Sequence, residues 1–522
     1  MRTQKLLAAI LFAGVFGLMA QPAFAHGFGQ TYTLPVPLSY FLVGAAATVA
    51  LSFVVVGFFV QGGPAASGYP VYNLLRLQWF KRSLASPIFL GFLGACSMFL
   101  FLLVFVTAFG GTNRPIENIS PTFVWIIWWV GMGYVVALLG NAWALVNPWK
   151  VSYDWFEQVF GVKLGRAKKG KKSSRTPYIM RYPANWDVWP AVALFLLFAW
   201  LENVYSGAAI PQKLGILVLI YSLITWGGMY LFGKHVWLSR GEAFSVLFGL
   251  FSRFSPTEAR VKDTRACHGC EVECSPTAEG CVDCYACFER AAPEQREFNL
   301  RPFAVGLARP GRVSTAMLVF VVLTLATVTF DGLNETSAWN SVQRFFQDRT
   351  GAGVASVVDT VGLLAVPAAF VAVYFGFSWL MKRLSGTDAS VAELARVFVF
   401  SLVPIALAYN VAHYISLLAV QGQLIIPLVS DPFGFGWDLF GTASYRVNLL
   451  VINAKFLWFT SIAVIVLGHI IAVYLAHLVS LRQMEGRSSA LRSQYPMLLL
   501  MVGYTATSLW IIAQPIVVVA SE

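Results

Sequence analysis

The sequence predicts an all-α, polytopic integral membrane protein, and three observations predict it. Hydrophobic residues make up 57% and charged residues only 12% of the 522 positions, against roughly 25% charged in a soluble domain. Mean hydropathy is +0.67. Ten apolar segments each come near the ~20 residues that a helix needs to cross a ~30 Å hydrocarbon core. Too little polar surface remains to cover several soluble globules, and disorder would need many more charges. Seven Cys in this length also exclude a secreted disulfide scaffold.

The chain opens with Arg2 and Lys5, an apolar run over 6–20, and Ala23-Phe24-Ala25. A charged start, a short apolar core and an A-x-A site read as a cleavable signal peptide over 1–25. The alternative is a first span that stays attached. The expected spans after it are 38–61, 87–110, 122–146, 188–206 and 214–236 in a first five-helix half, 26–236. A second five-helix half, 313–522, holds 313–333, 358–381, 396–420, 453–480 and 496–519. Ten spans after a cleaved signal put both termini outside, in a bacterial-type inner membrane.

Charge tests that alternation independently, because Lys and Arg accumulate in cytoplasmic connections. The connections expected inside carry 28 Lys and Arg, and those expected outside carry five. The net charge of +12 is therefore mainly an orientation signal. Lys168-Lys169-Gly170-Lys171-Lys172 can also touch anionic headgroups of the lipid bilayer, and no nucleic-acid partner is expected. No Gly-rich nucleotide loop is present, so ATP-driven work by this chain is not expected.

Two cytoplasmic connections carry aromatic-rich stretches. In the basic loop 147–187, Tyr153, Trp155, Phe156, Val159 and Phe160 recur at helical steps, which predicts an interfacial helix. The connection 237–312 begins in a similar way, with Phe244, Leu247, Phe248, Leu250, Phe251 and Phe254 predicting a second surface-hugging helix. Outside, Pro427 and Asp431-Pro432-Phe433-Gly434-Phe435-Gly436-Trp437 are too broken to span and too aromatic for a solvated loop. They read either as a re-entrant segment or as an aromatic belt at headgroup level.

The least random feature is a Cys-rich insertion at 267–287. Cys267, Cys270, Cys274, Cys281, Cys284 and Cys287 follow C-x2-C-x3-C-x6-C-x2-C-x2-C. Thiolates two or three residues apart converge on one centre, and zinc takes four of them in a tetrahedron. Cys281-x2-Cys284-x2-Cys287 resembles the head of a bacterial ferredoxin run, and Cys267-x2-Cys270-x3-Cys274 with Ser275-Pro276 resembles its tail. The order is reversed and the run is broken in two, a loose resemblance to polyferredoxin-type membrane proteins. Iron–sulfur ligation, structural zinc with His268 as an extra ligand, and redox-active thiols or disulfides all fit the spacing. Cys96, inside the second span, reads as a small packing residue.

Ionisable groups inside spans are costly and mark function by default. His413, His469, His477 and Asn410 form the candidate intramembrane site. Eight residues separate His469 from His477, ~12 Å and ~80° apart on one helix, so they cannot share one ion. A haem between spans eight and nine, a proton relay with Tyr409, Asn410, Tyr474 and Gln514, and plain carbonyl bonding all remain open. Glu202, Asn203, Asp331, Asp431 and Asp438 would line an outer vestibule, and His235 would lie at an interface. Cleavage after Ala25 would make His26 the mature N-terminus, where its imidazole and α-amino group could grip copper.

Two function classes follow. The first is membrane electron transfer, in which a cytoplasmic Cys-ligated centre passes electrons through the spans to a quinone or a redox partner protein. The second is a transporter or permease with a zinc-holding cytoplasmic loop, its path lined by Asn410, His413, His469, Gln423 and 427–437. A third class is an assembly factor that binds a partner through its cytoplasmic surface.

Overall fold

The computed structural model describes residues 31–60, 69–160, 179–270, 272, 274, 280–309, 311 and 313–518. The signal peptide, His26, the Lys168–172 motif and Ser275-Pro276 lie outside the described residues. Among the described residues, nine helices are long and apolar enough to cross a membrane. They are α1 (Leu38–Phe59), α2 (Pro87–Gly110), α3 (Ile119–Leu139), α6 (Pro211–Phe232), α9 (Thr315–Asn334), α11 (Ala355–Ser385), α12 (Val391–Ser430), α13 (Ala454–Gln483) and α14 (Arg487–Ile516). Between them lie α4 (Pro148–Phe160), α5 (Trp189–Asn203), α7 (Ala243–Ser252), α8 (Tyr285–Arg290) and α10 (Ser337–Thr350).

The fourth expected span, 188–206, is the one that falls short. Helix α5 has 15 residues, ~22 Å of rise, against a ~30 Å core. It ends at Glu202, whose carboxylate accepts from Trp129, and at Asn203, whose amide donates to Ala199 O of the same helix.

Helix α7 corrects the sequence reading more sharply. It does not hug a surface, because Phe244, Val246, Leu247, Phe248, Leu250 and Phe251 are all buried. Its apolar residues surround the helix instead of forming one stripe, and a helix apolar on all sides belongs in a core. Glu242 caps its start by accepting from Phe244 N (2.9 Å) and Ser245 N (2.7 Å), and Tyr221 donates to the same carboxylate. Helix α4 is more nearly as expected, with Tyr153 buried and Trp155, Phe156 and Val159 exposed.

Helix α9 is the axis of the bundle. Its most apolar stretch is 78% buried, against 11% for α2, so α2 faces lipid and α9 faces protein. Helices α12 and α13 cross so closely that a Cβ on Gly468 would come within 2.4 Å of the Ala408 Cβ. Small residues at such a crossing let backbones approach where no water is present to drive association.

The connections sort to two ends. At one end β2 (Tyr72–Asn73), β5 (Arg296–Leu300), β3 (Thr257–Val261) and β4 (Cys281–Val282) form an antiparallel sheet in the order β2-β5-β3-β4. Lys150 of α4 reaches Glu289 of α8 at 3.1 Å, Arg482 donates to Ala308 O, and Ser489 donates to Ser385 O at 2.7 Å. These are the connections that carry the basic excess. At the other end Thr112 N donates to Phe433 O (2.8 Å), and β1 (Tyr32–Thr33) pairs in parallel with β6 (Val517–Val518).

The 427–437 segment is part helix and part loop. Its first residues continue α12 to Ser430. Phe433 and Phe435 then stack at 5.3 Å, and Trp437 meets Phe433 tilted at 5.4 Å and Phe435 edge-on at 5.5 Å, with Phe435 and Trp437 exposed. Gln423 is a loop clamp: its carbonyl accepts from Tyr445 OH (2.7 Å) and Asn448 N (3.0 Å), and its amide donates to Asn448 O (3.0 Å). At this same end α10 lies with Val342, Phe345 and Phe346 exposed, an amphipathic helix that the sequence reading did not contain.

Candidate metal centre and intramembrane acid cluster

The cysteines are presented by two short turns that the strands hold together. Strand β3 leads into a 3-10 turn, Thr264–Cys267, capped by Asp263, which accepts from Arg265 N at 2.9 Å. Strand β4 opens with Cys281 and leads into α8, which carries Cys287. Gly280 has φ +111°, and a Cβ there would lie 2.3 Å from Val261 O, so only glycine lets β4 close on β3.

The two turns bring all six sulfurs into one group. Cys267, Cys274, Cys281 and Cys287 have every Sγ within 4.8 Å of the others, and so do Cys270, Cys274, Cys284 and Cys287. The closest pairs are Cys274–Cys287 (3.4 Å), Cys270–Cys287 (3.4 Å), Cys284–Cys287 (3.5 Å) and Cys270–Cys284 (3.7 Å). With a Zn–S bond of ~2.3 Å, tetrahedral ligands stand ~3.8 Å apart. The sulfurs of Cys270, Cys274, Cys284 and Cys287 thus have a spacing close to what one tetrahedral ion would take. Thiolates on different irons of a sulfide-bridged cluster stand farther apart.

Packing also affects the thiols themselves. The hydrogen bond with Cys284, together with burial, pushes the Cys270 thiol up to about 12. Burial pushes the Cys274 thiol up further. Six sulfurs gathered this closely could hold a metal ion among them. His268 is exposed and belongs to neither quartet.

Ion pairs fix the module to the membrane helices. Glu289 of α8 meets Lys150 (3.1 Å), Lys234 (3.6 Å) and His235 (3.1 Å). Burial pushes the Glu289 carboxyl up, but the His235 hydrogen bond and the charges of Lys150, His235 and Lys234 hold it well below the carboxylate range. His235 thus bonds the cysteine module through Glu289. The fully buried Glu258 pairs with the fully buried Arg301 (3.0 Å) and with Arg309. Arg301 also donates to Ser252 O (2.9 Å), covering the carbonyl end of α7. Asp283, between Cys281 and Cys284, accepts from Ala259 N (3.1 Å) and faces Arg301 (3.6 Å).

A second cluster lies inside the bundle. His413 Nε2 meets Asp331 Oδ2 at 2.9 Å. Tyr414 donates to the same oxygen at 2.6 Å and stands 3.3 Å from Glu202 Oε1. Trp129 Nε1 donates to that glutamate oxygen at 2.6 Å. Trp129 belongs to a π-helical run within α3, Phe123–Val130, a wide winding frequent at functional sites.

Gly332 lets α12 approach α9, since a Cβ there would meet the Tyr409 hydroxyl at 2.6 Å. That hydroxyl has no hydrogen-bond partner among the described residues.

Two clefts flank this cluster. One, of ≈ 500 Å³, is lined by Gly332, Glu335, His413, Tyr414, Leu457 and Pro515. The other, of ≈ 320 Å³, is lined by Trp129, Glu202, Phe251, Thr327, Asn410 and Tyr414. Tyr414 lines both. A single hydroxyl has one proton to donate, so it serves Asp331 and Glu202 alternately unless a carboxyl carries a proton of its own.

The intramembrane residues singled out in the sequence separate into different roles. Asn410 lines the second cleft and His413 the first. His469 bonds Ile465 O of its own helix (2.8 Å), and its Nε2 has no hydrogen-bond partner among the described residues. His477 faces Gln494 Oε1 (3.0 Å) and Val60 O (2.9 Å), clasping α13 to α14 and α1. Asp431 and Asp438 accept from backbone N–H groups of their own loop, away from the cluster. Trp129 and Tyr414 were missed, because an aromatic residue in an apolar span gives no signal beyond packing. Comparison of the chain with protein families, curated proteins and solved structures returned no match.

Proposed function

We propose that the chain is a proton-coupled transporter whose protons move on Glu202, Tyr414, Asp331 and His413, with the cysteine module as a metal-bound structural lock at one end. The observation that carries this reading is the Tyr414 hydroxyl, which lines both clefts and reaches a carboxylate on each side. A carboxylate buried among apolar helices is costly unless paired. Here pairing with His413 and Tyr414 supplies a route by which a proton can be handed on. The imidazole can take a proton at Nδ1 from the first cleft and release the one on Nε2 to Asp331. Tyr414 then passes a proton to Glu202 and is reprotonated from Asp331. Trp129 holds the Glu202 oxygen in place.

We place the cysteine end in the cytoplasm, because the basic residues gather there, and the bilayer in a bacterial-type inner membrane. The electron-transfer reading, with a quinone or redox partner protein as acceptor, needs iron at the cysteines. The Sγ spacing favours single tetrahedral ions such as zinc.

Proton entry into liposomes carrying the purified protein, under an imposed potential, tests the proposal. Asp331→Asn and Glu202→Gln should each slow entry at least ~10-fold. Unchanged entry in both folded variants would overturn it.

A further inference from the structure

We infer that the six cysteines hold two divalent, thiophilic ions of the zinc type in one binuclear cluster, with Cys274 and Cys287 shared between them. This deepens the metal half of the reading above and does not depend on the proton route.

The chain itself supplies the first argument. Cys267-x2-Cys270-x3-Cys274 and Cys281-x2-Cys284-x2-Cys287 are two copies of nearly the same triplet. The structure then pairs them by rank. The first cysteines of each triplet, Cys267 and Cys281, fall in one quartet, and the second, Cys270 and Cys284, fall in the other. The third cysteines, Cys274 and Cys287, belong to both.

Geometry supplies the second argument. Two tetrahedra that share two corners share an edge, and the shared edge here is Cys274–Cys287 at 3.4 Å. The unshared edges Cys270–Cys287, Cys284–Cys287 and Cys270–Cys284 are 3.4–3.7 Å. With Zn–S bonds of ~2.3 Å, ions on either side of the shared edge would stand ~3 Å apart. A thiolate can bridge because its sulfur keeps further lone pairs after binding one ion.

Stoichiometry and charge agree. One ion would use four sulfurs and leave two buried or half-buried thiols against its ligands. Two ions use all six. Six thiolates and two dications leave a double negative charge, and cations stand where it would lie. Arg290 Nη2 is 3.9 Å from the bridging Cys287 Sγ, and its Nη1 donates to Gly269 O at 3.2 Å. Arg240 donates to Val272 O at 3.1 Å, between Cys270 and Cys274.

The full chain, purified anaerobically in detergent, would be analysed as isolated, then stripped and reloaded with Cd²⁺. Two Cd²⁺ per chain are expected, with two cadmium NMR resonances coupled to each other through the bridging sulfurs. The double variant Cys270→Ser/Cys284→Ser should hold one ion, and Cys274→Ser/Cys287→Ser, which removes both bridging sulfurs, should abolish the coupling. One ion per chain in the unmodified protein, or two uncoupled resonances, would overturn the inference, as would iron with acid-labile sulfide in the protein as isolated. The unmodified protein alone decides the stoichiometry and the coupling, so a variant that fails to fold does not blur the result. A one-ion result would leave the proton route standing, and loss of that route would leave this count unaffected.

Discussion

The thiolate module and the acid cluster bring chemically reactive groups together under opposite constraints. In the module six like groups crowd one small sheet-and-turn unit, and its buried core is Val261, Ala286, Ala291 and four of the cysteines themselves. In the bundle Glu202, Asp331, His413 and Tyr414 are unlike groups that satisfy one another within a core built by apolar helices. The module thus depends on its ligands for stability, because so small a unit has little else to bury. The bundle does not depend on its acid cluster in that way, which leaves those residues available for chemistry.

Removing metal should break this comparison most visibly. Structural zinc contributes ~10–16 kcal/mol to folding in small zinc-finger units. A strong chelator should therefore open residues 257–300 to protease while the membrane helices stay resistant. Uniform resistance after full metal loss would show that the module stands without it.

The next effect in size lies at the joint between the two regions. Glu258→Ala would leave Arg301 buried without its carboxylate, at a cost of about 3–5 kcal/mol. Replacing both residues with apolar ones of similar volume should cost less. Thermal unfolding in detergent measures both, and equal losses would mean that the pair's charges are not what matters.

A third variant separates close packing from the polar sites. Gly468→Val should cost at least ~1–3 kcal/mol by overpacking the crossing of α12 and α13. Gly503→Ala, with open space around it, should be neutral or stabilising by up to about 1 kcal/mol. Equal effects at both positions would contradict the close approach.

The smallest effect concerns acid stability of the sheet. Burial pushes the Glu297 carboxyl up, but the hydrogen bond and charge of Lys262, with Asn299 and Arg260, bring it below its ordinary value. A lowered carboxyl lends stability that is complete above its unfolded value of ~4.3. That stability is lost as pH falls through the lower folded value. Glu297→Gln should lower stability at neutral pH, flatten the acid limb of the unfolding curve, and change little once the carboxyl is protonated in both states. An unaltered acid limb would remove Glu297 from that account.

What the sequence revealed follows the range of the forces involved. Spans are local runs of apolar residues, and a triplet of cysteines is a local spacing, so both were legible. The fold class and the metal-binding cysteines come from those two signals. The length of α5 was not legible, because a window of apolar residues cannot see Glu202 turning inward to Trp129. The burial of α7 was hidden for a related reason: aromatic residues suit both an interface and a core, and only the neighbours decide. Glu202, Asp331 and His413 were visible as polar groups in or beside spans, but their meeting joins positions 202, 331 and 413. No local pattern encodes that pairing, and nothing marked Tyr414 as the group between them.

The central claim is that the acid cluster binds and releases protons inside the bundle instead of serving as a fixed structural pair. Infrared difference spectra of the purified, metal-loaded protein across a pH titration test it directly, through the carbonyl stretch of a protonated carboxyl group. The account predicts a titrating carboxyl band that is lost in Glu202→Gln and shifted in Asp331→Asn. A spectrum with no titrating carboxyl, or one identical in both variants, would contradict it.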